Sequence, residues 1–566
     1  MYFLDKTKKE IVKLINQILG KELVQVSFLT YPQQVEHGDL CLPCFMLAKE
    51  LVKSPADIAQ EIVAKIKKNK TVSGASAIGP YVNFFLDKKS LAEKVLSEIG
   101  KKQKKFGKNK IGKNKRVMIE YSNVNTHKEY HVGHLRNLCY GDSVNRILAV
   151  NGYKVIPVSY INDFGIHVAK TLWAYLEYYK NEKLPENKGL FLGQVYVRAS
   201  QELEHNALAK GLVNFMMQKI EARKGSDYKL WKTTRKWSIE HFSHIYQELD
   251  IRFDKVFYES EYIDRGREMI PELIKKGILK ESQGAVIADF ESEGNGVLVV
   301  LRSDGTATYP VADIPLAQMK FEKFKLDSSI YVVDNRQKLY FKQLFSILKK
   351  MGFKQKMVHL EYDFVKLPSG MMSSRSGNVI TYEVLKKMLL DYAASEIKKR
   401  HSDWGDEKIK PVAEVIVVGA IKFEMLKISF DQVITFDIEK ALDFTGYTCA
   451  YLQYTYARIK SILRNSGSLN FEVKDIKFEN NKEAQLILKL AKYPEVIVLA
   501  GEKYNPVEIS KYLFELAQLF NDYYHSVNIL KSEKEIKKSR LALIEKVSLV
   551  LQNGLDLLGI KTVEEM

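Results

Sequence analysis

Glu120-Tyr121-Ser122-Asn123-Val124-Asn125-Thr126-His127-Lys128-Glu129-Tyr130-His131-Val132-Gly133-His134-Leu135-Arg136 links the short apolar strand Val117-Met118-Ile119-Glu120 to a run of helical period, Leu135 to Val150, that stops before Asn151-Gly152. Its core is His131-x-Gly133-His134. A helix N-terminus offers unpaired backbone N–H groups and the positive end of a dipole, and together these receive phosphate. Gly133 lets a flat ring approach the backbone where a Cβ would stand in the way. The imidazoles on either side can donate to charge that builds up on a phosphate in a transition state.

Outward from this segment, short apolar strands alternate with helices. Lys154-Val155-Ile156-Pro157-Val158, Gly296-Val297-Leu298-Val299-Val300-Leu301 and Ser329-Ile330-Tyr331-Val332-Val333 are continuous runs of the kind that suit buried parallel strands. Residues 171–281 are helical and charged, and read as an insertion into that sheet. Residues 1–100 form a small α/β unit. In it Lys6 to Leu19 has helical period and ends at Gly20, and Val24 to Leu29 reads as a strand. Ser54 caps a helix with Pro55 in its first turn, and Tyr81 to Leu86 alternates as a strand. The basic run 101–115 fits two readings, a solvated linker or a path for a phosphate backbone. From 401 to 566 nearly everything has helical period, with Val412 to Leu426, Tyr447 to Leu463, Ala484 to Leu499 and Ser510 to Tyr524 the clearest runs.

The net charge of +18 and pI near 9.2 suggest a polyanionic partner, of which nucleic acid is the commonest. No apolar run approaches the ~20 residues needed to span a bilayer. The N-terminus lacks a basic region followed by a long apolar stretch, so no secretory signal is expected. Of the four cysteines, Cys41 and Cys44 make a CxxC, while Cys139 and Cys449 stand far apart. Two ordinary buried thiols, half a zinc site or a redox pair would each fit the CxxC, and no disulfide framework is expected. A reducing, cytoplasmic setting follows.

A second phosphate-type loop is Leu367-Pro368-Ser369-Gly370-Met371-Met372-Ser373-Ser374-Arg375-Ser376-Gly377-Asn378, small hydroxyl residues around one cation ahead of a helix at Thr381. With HxGH after the first strand and this loop after the last, the chain resembles the class I aminoacyl-tRNA synthetases, whose HIGH and KMSKS motifs occupy corresponding places. Further segments resemble the arginyl-tRNA synthetase family in particular. They are Glu120-Tyr121-Ser122-x-x-Asn125-x-x-Lys128, Asn162-Asp163-Phe164-Gly165, Arg302-Ser303-Asp304-Gly305-Thr306-x-Thr308-Tyr309-x-x-x-Asp313 and Tyr331-Val332-Val333-Asp334-x-Arg336-Gln337. Others are Glu259-Ser260, Tyr451 to Ile459, the C-terminal Leu557 to Met566, and, in the first unit, His37-Gly38-Asp39 and Gly79 to Phe84. The likeness runs through essentially the whole chain, in order.

The resemblance implies an α/β fold: a Rossmann-type parallel-sheet catalytic domain (116–400) with a helical insertion, an N-terminal domain (1–100) touching the tRNA elbow, and an all-α anticodon-binding bundle (401–566). It implies ATP with Mg2+ on its phosphates and no dedicated protein metal site, L-arginine and tRNA(Arg) as partners, and a monomer away from membranes. ATP would lie on His131, Gly133 and His134, with Met372, Ser373 and Ser374 from the second loop. Arginine would be held by Glu120 and Asp313 and oriented by Asn125, Tyr309 and Gln337. Carboxylates suit a guanidinium fork bidentately, which a lysine ammonium cannot match. Tyr309 and Asp313, four apart, would share a helix face. Tyr454, Tyr456 and Arg458 are the tRNA-binding candidates.

One departure stands out. The family's second loop carries lysine where this chain has Met371 and Ser376, leaving Arg375 as its cation; Lys128 fills the place of a compensating lysine. Catalysis is therefore expected from His131, His134, Lys128 and Arg375. The thin loop also suggests an alternative, a tRNA-binding homologue that has lost catalysis. A cofactor-making nucleotidylyltransferase would need neither the basic helical C-terminal part nor the N-terminal unit.

Overall fold

Five parallel strands carry the centre of the molecule, in the spatial order Lys356–Tyr362, Ser328–Asp334, Arg116–Glu120, Lys154–Ile161 and Lys255–Tyr258. The computed structural model describes residues 1–366, 368, 379–467 and 476–566. Numbered along the chain, the strand order is 3-2-1-4-5, the doubly wound arrangement. Its switch point lies between Arg116–Glu120 and Ser328–Asp334, where a crevice opens at the strand ends. The helix Val132–Val150 fills the layer behind them and is buried on nearly all sides, so it shows little amphipathic contrast. Arg136 on this helix, itself buried, donates to the carbonyls of Met425 (2.6 Å) and Ser429 (3.0 Å), tying it to the C-terminal bundle.

The insertion differs from the sequence expectation in extent. Four helices, Ile166–Tyr178, Lys188–His205, Ala207–Glu221 and Gly225–Glu248, pack around their own apolar cluster. The chain then returns to the central sheet as Lys255–Tyr258, inside the span expected to be wholly helical. Gly296–Leu301, expected in the parallel sheet, instead forms a separate antiparallel sheet with Lys280–Ser282 and Ala285–Phe290. Its Val297 and Val299 are exposed, so an apolar run here marks a one-sided edge strand rather than a buried one.

The N-terminal unit is a three-stranded antiparallel sheet, Leu40–Pro43, Tyr81–Leu86 and Val72–Ile78, flanked by Phe3–Leu19 and Pro55–Lys65. Ser54 caps the second helix, accepting from the Asp57 N–H at 3.1 Å. The strand expected at 24–29 is a 3-10 turn, Val26–Phe28. Asn16 captures the N–H groups of Leu23 and Val24 and the Val24 carbonyl, removing them from any ladder. Cys41 and Cys44 are free and buried, with burial pushing the Cys44 thiol up to about 11, which leaves it protonated and inert.

The basic run 101–115 is not a free linker. The helix Lys88–Lys102 runs into it, and Phe106 is buried between Tyr2 (5.3 Å) and Tyr493 (5.9 Å). The N-terminal unit thus docks on the helix Asn481–Glu502 of the C-terminal bundle. There Lys8 pairs with Glu495 (2.7 Å), the Tyr31 hydroxyl donates to Glu495 (2.7 Å), and the Lys492 ammonium lies 3.7 Å over the Tyr31 ring. The bundle's remaining long helices are Asp406–Leu426, Cys449–Asn465, Val507–Ser526 and Lys534–Leu557. Among the described residues, no helix is long and apolar enough to cross a membrane.

Candidate active site

A cavity of about 360 Å3 opens at the switch point. Eight residues expected at the site line it: Glu120, Asn125, His131, Gly133, His134, Tyr309, Asp313 and Gln337. They come from the end of the strand Arg116–Glu120 with the loop and helix start after it, from the start of the helix Tyr309–Phe324, and from the turn Asn335–Gln337 after the strand Ser328–Asp334.

The loop from strand to HxGH bends through left-handed backbone at Ser122 (φ 60°) and His127 (φ 62°), strain that persists because several bonds hold each residue. The Ser122 N–H donates to Asn137, and its hydroxyl bonds the Tyr246 hydroxyl at 2.8 Å. The His127 N–H donates to Ser238 (2.9 Å), and its buried ring sits between the Thr126 and Thr234 hydroxyls at 2.9 and 2.8 Å.

His131 caps the helix Val132–Val150. Its Nδ1 accepts from the Gly133 N–H (3.2 Å), and its own N–H donates to Nδ1 of His134 (3.1 Å). The two rings stack with centroids 3.8 Å apart. Burial, joined by the nearby Lys128 charge, holds His131 down at about 4 and His134 well below its ordinary value. Both imidazoles are therefore neutral near pH 7. With each Nδ1 accepting, the ring proton belongs on Nε2, leaving two Nε2–H donors free of the capping role. A Cβ on Gly133 would stand 3.0 Å from the His131 ring, tight enough that the ring would have to shift by a few tenths of an ångström. Residues 380–382 lie antiparallel to this motif, through Val132 N–H to Ile380 (3.1 Å) and Tyr382 N–H to Tyr130 (2.8 Å). Met372, Ser373, Ser374 and Arg375 of the preceding loop lie outside the described residues.

Lys128 is half-buried, with its ammonium 5.1 Å from the Tyr196 ring of the insertion, and is not part of the cavity wall. Its influence on the imidazoles is through charge.

The other wall is acidic. Asp313, on the helix Tyr309–Phe324, accepts from the Tyr340 hydroxyl; burial pushes its carboxyl up to about 6, opposed in part by the Tyr340 and Tyr160 hydroxyls. Tyr309, one turn earlier, lines the same cavity and is largely exposed. Glu120 is buried and already partnered: Lys320 pairs with one carboxylate oxygen and Asn123 donates to the other at 3.3 Å. Lys320 and Tyr340, which line the cavity, and Glu259, which does not line it but is bonded to the lining residue Asn162, were not picked out as site residues by sequence. Burial, with Asp313 and Asp163 nearby, raises Glu259 to about 8, while Asn162 donates to it at 3.1 Å. Its only sequence signal was its place in the Glu259-Ser260 segment.

In the C-terminal bundle, Tyr456 is a correction. It is buried on the inward face of Cys449–Asn465 with Leu452 and Ile459, so its ring is not open to a base. Tyr454 and Arg458 face outward; the Arg458 guanidinium lies 4.8 Å over Tyr454 and 5.0 Å over Tyr524.

Comparison with known proteins matches residues 95–436 to the catalytic domain described as "tRNA synthetases class I (R)", 452–566 to the "DALR anticodon binding domain", and 5–86 to the "Arginyl tRNA synthetase N terminal domain". The chain is 37% identical to an arginine–tRNA ligase of Bdellovibrio bacteriovorus, over 95% of this chain and 94% of that one. It is 34% identical to one of Halothermothrix orenii, over 99% of each. Among solved structures, Thermus thermophilus arginyl-tRNA synthetase superposes with a TM-score of 0.79 at 26% identity, covering 99% of this chain and 100% of that one.

Proposed function

The chain belongs to the arginyl-tRNA synthetase family of class I, and from that premise we propose how its cavity divides the work. The protein joins L-arginine to tRNA with ATP as the energy source. In the first step a carboxylate oxygen of arginine attacks the α-phosphorus in line; the new P–O bond forms as the bond to pyrophosphate breaks. No protein nucleophile takes part, so catalysis is positioning and stabilisation of phosphate charge.

The Nε2–H groups of His131 and His134 donate to the nucleotide's phosphates, and Gly133 leaves room for the adenine. Lys128 supplies positive charge beside them, with Arg375, Met372, Ser373 and Ser374 completing the nucleotide site from the second loop. Mg2+ arriving on the nucleotide would neutralise part of the β- and γ-phosphate charge. The imidazole donors fit phosphate oxygens rather than a cation, so no protein ligand set is assigned to it. Asp313 and Glu259 receive the guanidinium. Glu120, held by Lys320, faces the α-amino end with Asn125 and Gln337, and Tyr309 covers the entrance. Tyr454 and Arg458, with Tyr524, form a stacking surface for unpaired anticodon bases. The N-terminal unit, 1–100, touches the tRNA elbow, while 116–400 does the chemistry and 401–566 reads the anticodon. The working form is a cytoplasmic monomer.

The observation that carries this reading is the pairing, in one cavity, of neutral imidazole donors with acidic acceptors. Charging of tRNA(Arg) transcript with each amino acid in turn tests it, and arginine alone should be incorporated. Stable transcript binding with no charging would instead favour the inactive homologue. Lys128→Ala should slow charging about 10- to 100-fold. Charging left intact by Lys128→Ala but abolished by Arg375→Ala would remove Lys128 from the phosphate site.

A further inference from the structure

The helix Gly225–Glu248 reaches the arginine side of the cavity without lining it. Arg235 on this helix donates from Nε to the Asp163 carboxylate at 2.5 Å, and its guanidinium lies 4.0 Å over the Tyr258 ring. Asp163 is fully buried. Its carboxylate also accepts from the Ser260 N–H (2.9 Å) and the Ser260 hydroxyl (2.8 Å). One turn before Arg235, the Trp231 indole donates to the Asp163 carbonyl at 2.8 Å. Asp163 is thus gripped by the insertion on one side and grips Ser260 on the other. Ser260 follows Glu259, and Asn162, which precedes Asp163, donates to Glu259 at 3.1 Å.

We propose that Arg235 is a positioning residue for amino-acid recognition: through Asp163 it clamps Asn162 and Ser260, and so fixes Glu259 against Asp313 for a guanidinium. This makes the helical insertion part of the specificity apparatus. The proposal rests on the reading that Glu259 and Asp313 receive the substrate's guanidinium. A buried carboxylate that loses its cation is left with neutral donors only, and rearranges to recover solvation or a proton. Either response moves Ser260, and Glu259 with it. The Asp163 charge also acts directly on Glu259, so its neutralisation by Arg235 favours the ionised acceptor.

The test is steady-state tRNA charging by the full-length Arg235→Met and Arg235→Lys variants, varying arginine, ATP and tRNA separately, with thermal unfolding alongside. Arg235→Met should raise KM for arginine about ten-fold and leave KM for ATP and tRNA within about two-fold, with Arg235→Lys recovering part of the loss by keeping the charge. An unchanged arginine KM, or losses shared equally among the three substrates, would overturn the proposal. Should Arg235→Met not fold, Ser260→Ala cuts a single bond of the same clamp and should raise arginine KM about three-fold; no change there overturns the proposal equally. Glu259→Gln separates the two layers. If it leaves arginine KM unchanged, the underlying reading of the cavity fails. If it raises arginine KM and Arg235→Met does not, only the role of Arg235 fails.

Discussion

Asp313 and Glu259 hold their protons above the ordinary carboxylate range, at about 6 and about 8, because burial disfavours the anions, joined at Asp313 by the Glu120 charge and at Glu259 by the Asp313 and Asp163 charges. Arginine wants the ionised forms, so its binding expels protons and is favoured as pH rises. KM for arginine should therefore fall between about pH 6 and pH 8 and then level, in initial-rate charging at saturating ATP and tRNA. No imidazole step should appear in that range, since His131 titrates near 4. Asp313→Asn removes a charge-assisted bond worth about 1.5–3 kcal/mol, and kcat/KM for arginine should drop about 10- to 150-fold. Much of the site could be read from sequence. His131, Gly133, His134 and Asp313 sit in motifs whose spacing brings them into one cavity. Lys320 and Tyr340 could not be found that way. A lysine inside an amphipathic helix reads as solvated, and only the tertiary fold buries it against Glu120. Tyr456 failed in the opposite direction, because aromatic spacing on a helix does not say which face turns inward.

At the scale of elements, the acidic wall depends on how closely two helices approach. Gly266, on Ile263–Lys275, lies where an added Cβ would come within 1.6 Å of the Val311 carbonyl, in the turn between Tyr309 and Asp313. Gly266→Ala must push the helices apart. It should destabilise the protein by about 1–3 kcal/mol in denaturant unfolding and raise arginine KM more than ATP KM. Helices are better marked in sequence: the periodic runs at 447–463, 484–499 and 510–524 fall within about three residues of the observed ends, while Asp406–Leu426 begins six residues before its apolar run at Val412 and Lys534–Leu557 is not among the clearest runs. Strand partnership was harder. Gly296–Leu301 and Ser328–Asp334 are both continuous apolar runs, yet one lies on a small antiparallel edge and the other in the central sheet. Hydrophobicity reports burial tendency, while the partner is chosen by elements far away in the chain.

For the molecule as a whole, the excess of +18 charges is a long-range property that salt should screen. KM for tRNA should climb steeply between roughly 50 and 200 mM KCl in charging assays, by about 0.7–0.9 log units per log unit of salt for each phosphate neutralised. KM for arginine, set in a partly enclosed pocket, should change far less. Domain order was legible because each part has its own periodicity; domain docking was not, and the basic run 101–115 concealed a buried Phe106 behind its lysines. The N-terminal unit is seated through Lys8, Tyr31 and Phe106 on Glu495, Lys492 and Tyr493 of the helix Asn481–Glu502, while the chain leaving it enters the catalytic sheet. The N-terminal unit and the C-terminal bundle are thereby joined as the two jaws of one calliper by contacts made without any RNA. A chimera that borrows its N-terminal unit from a relative should borrow the matching C-terminal helix as well, because the ion pair and the ring contacts that seat the unit take one partner from each.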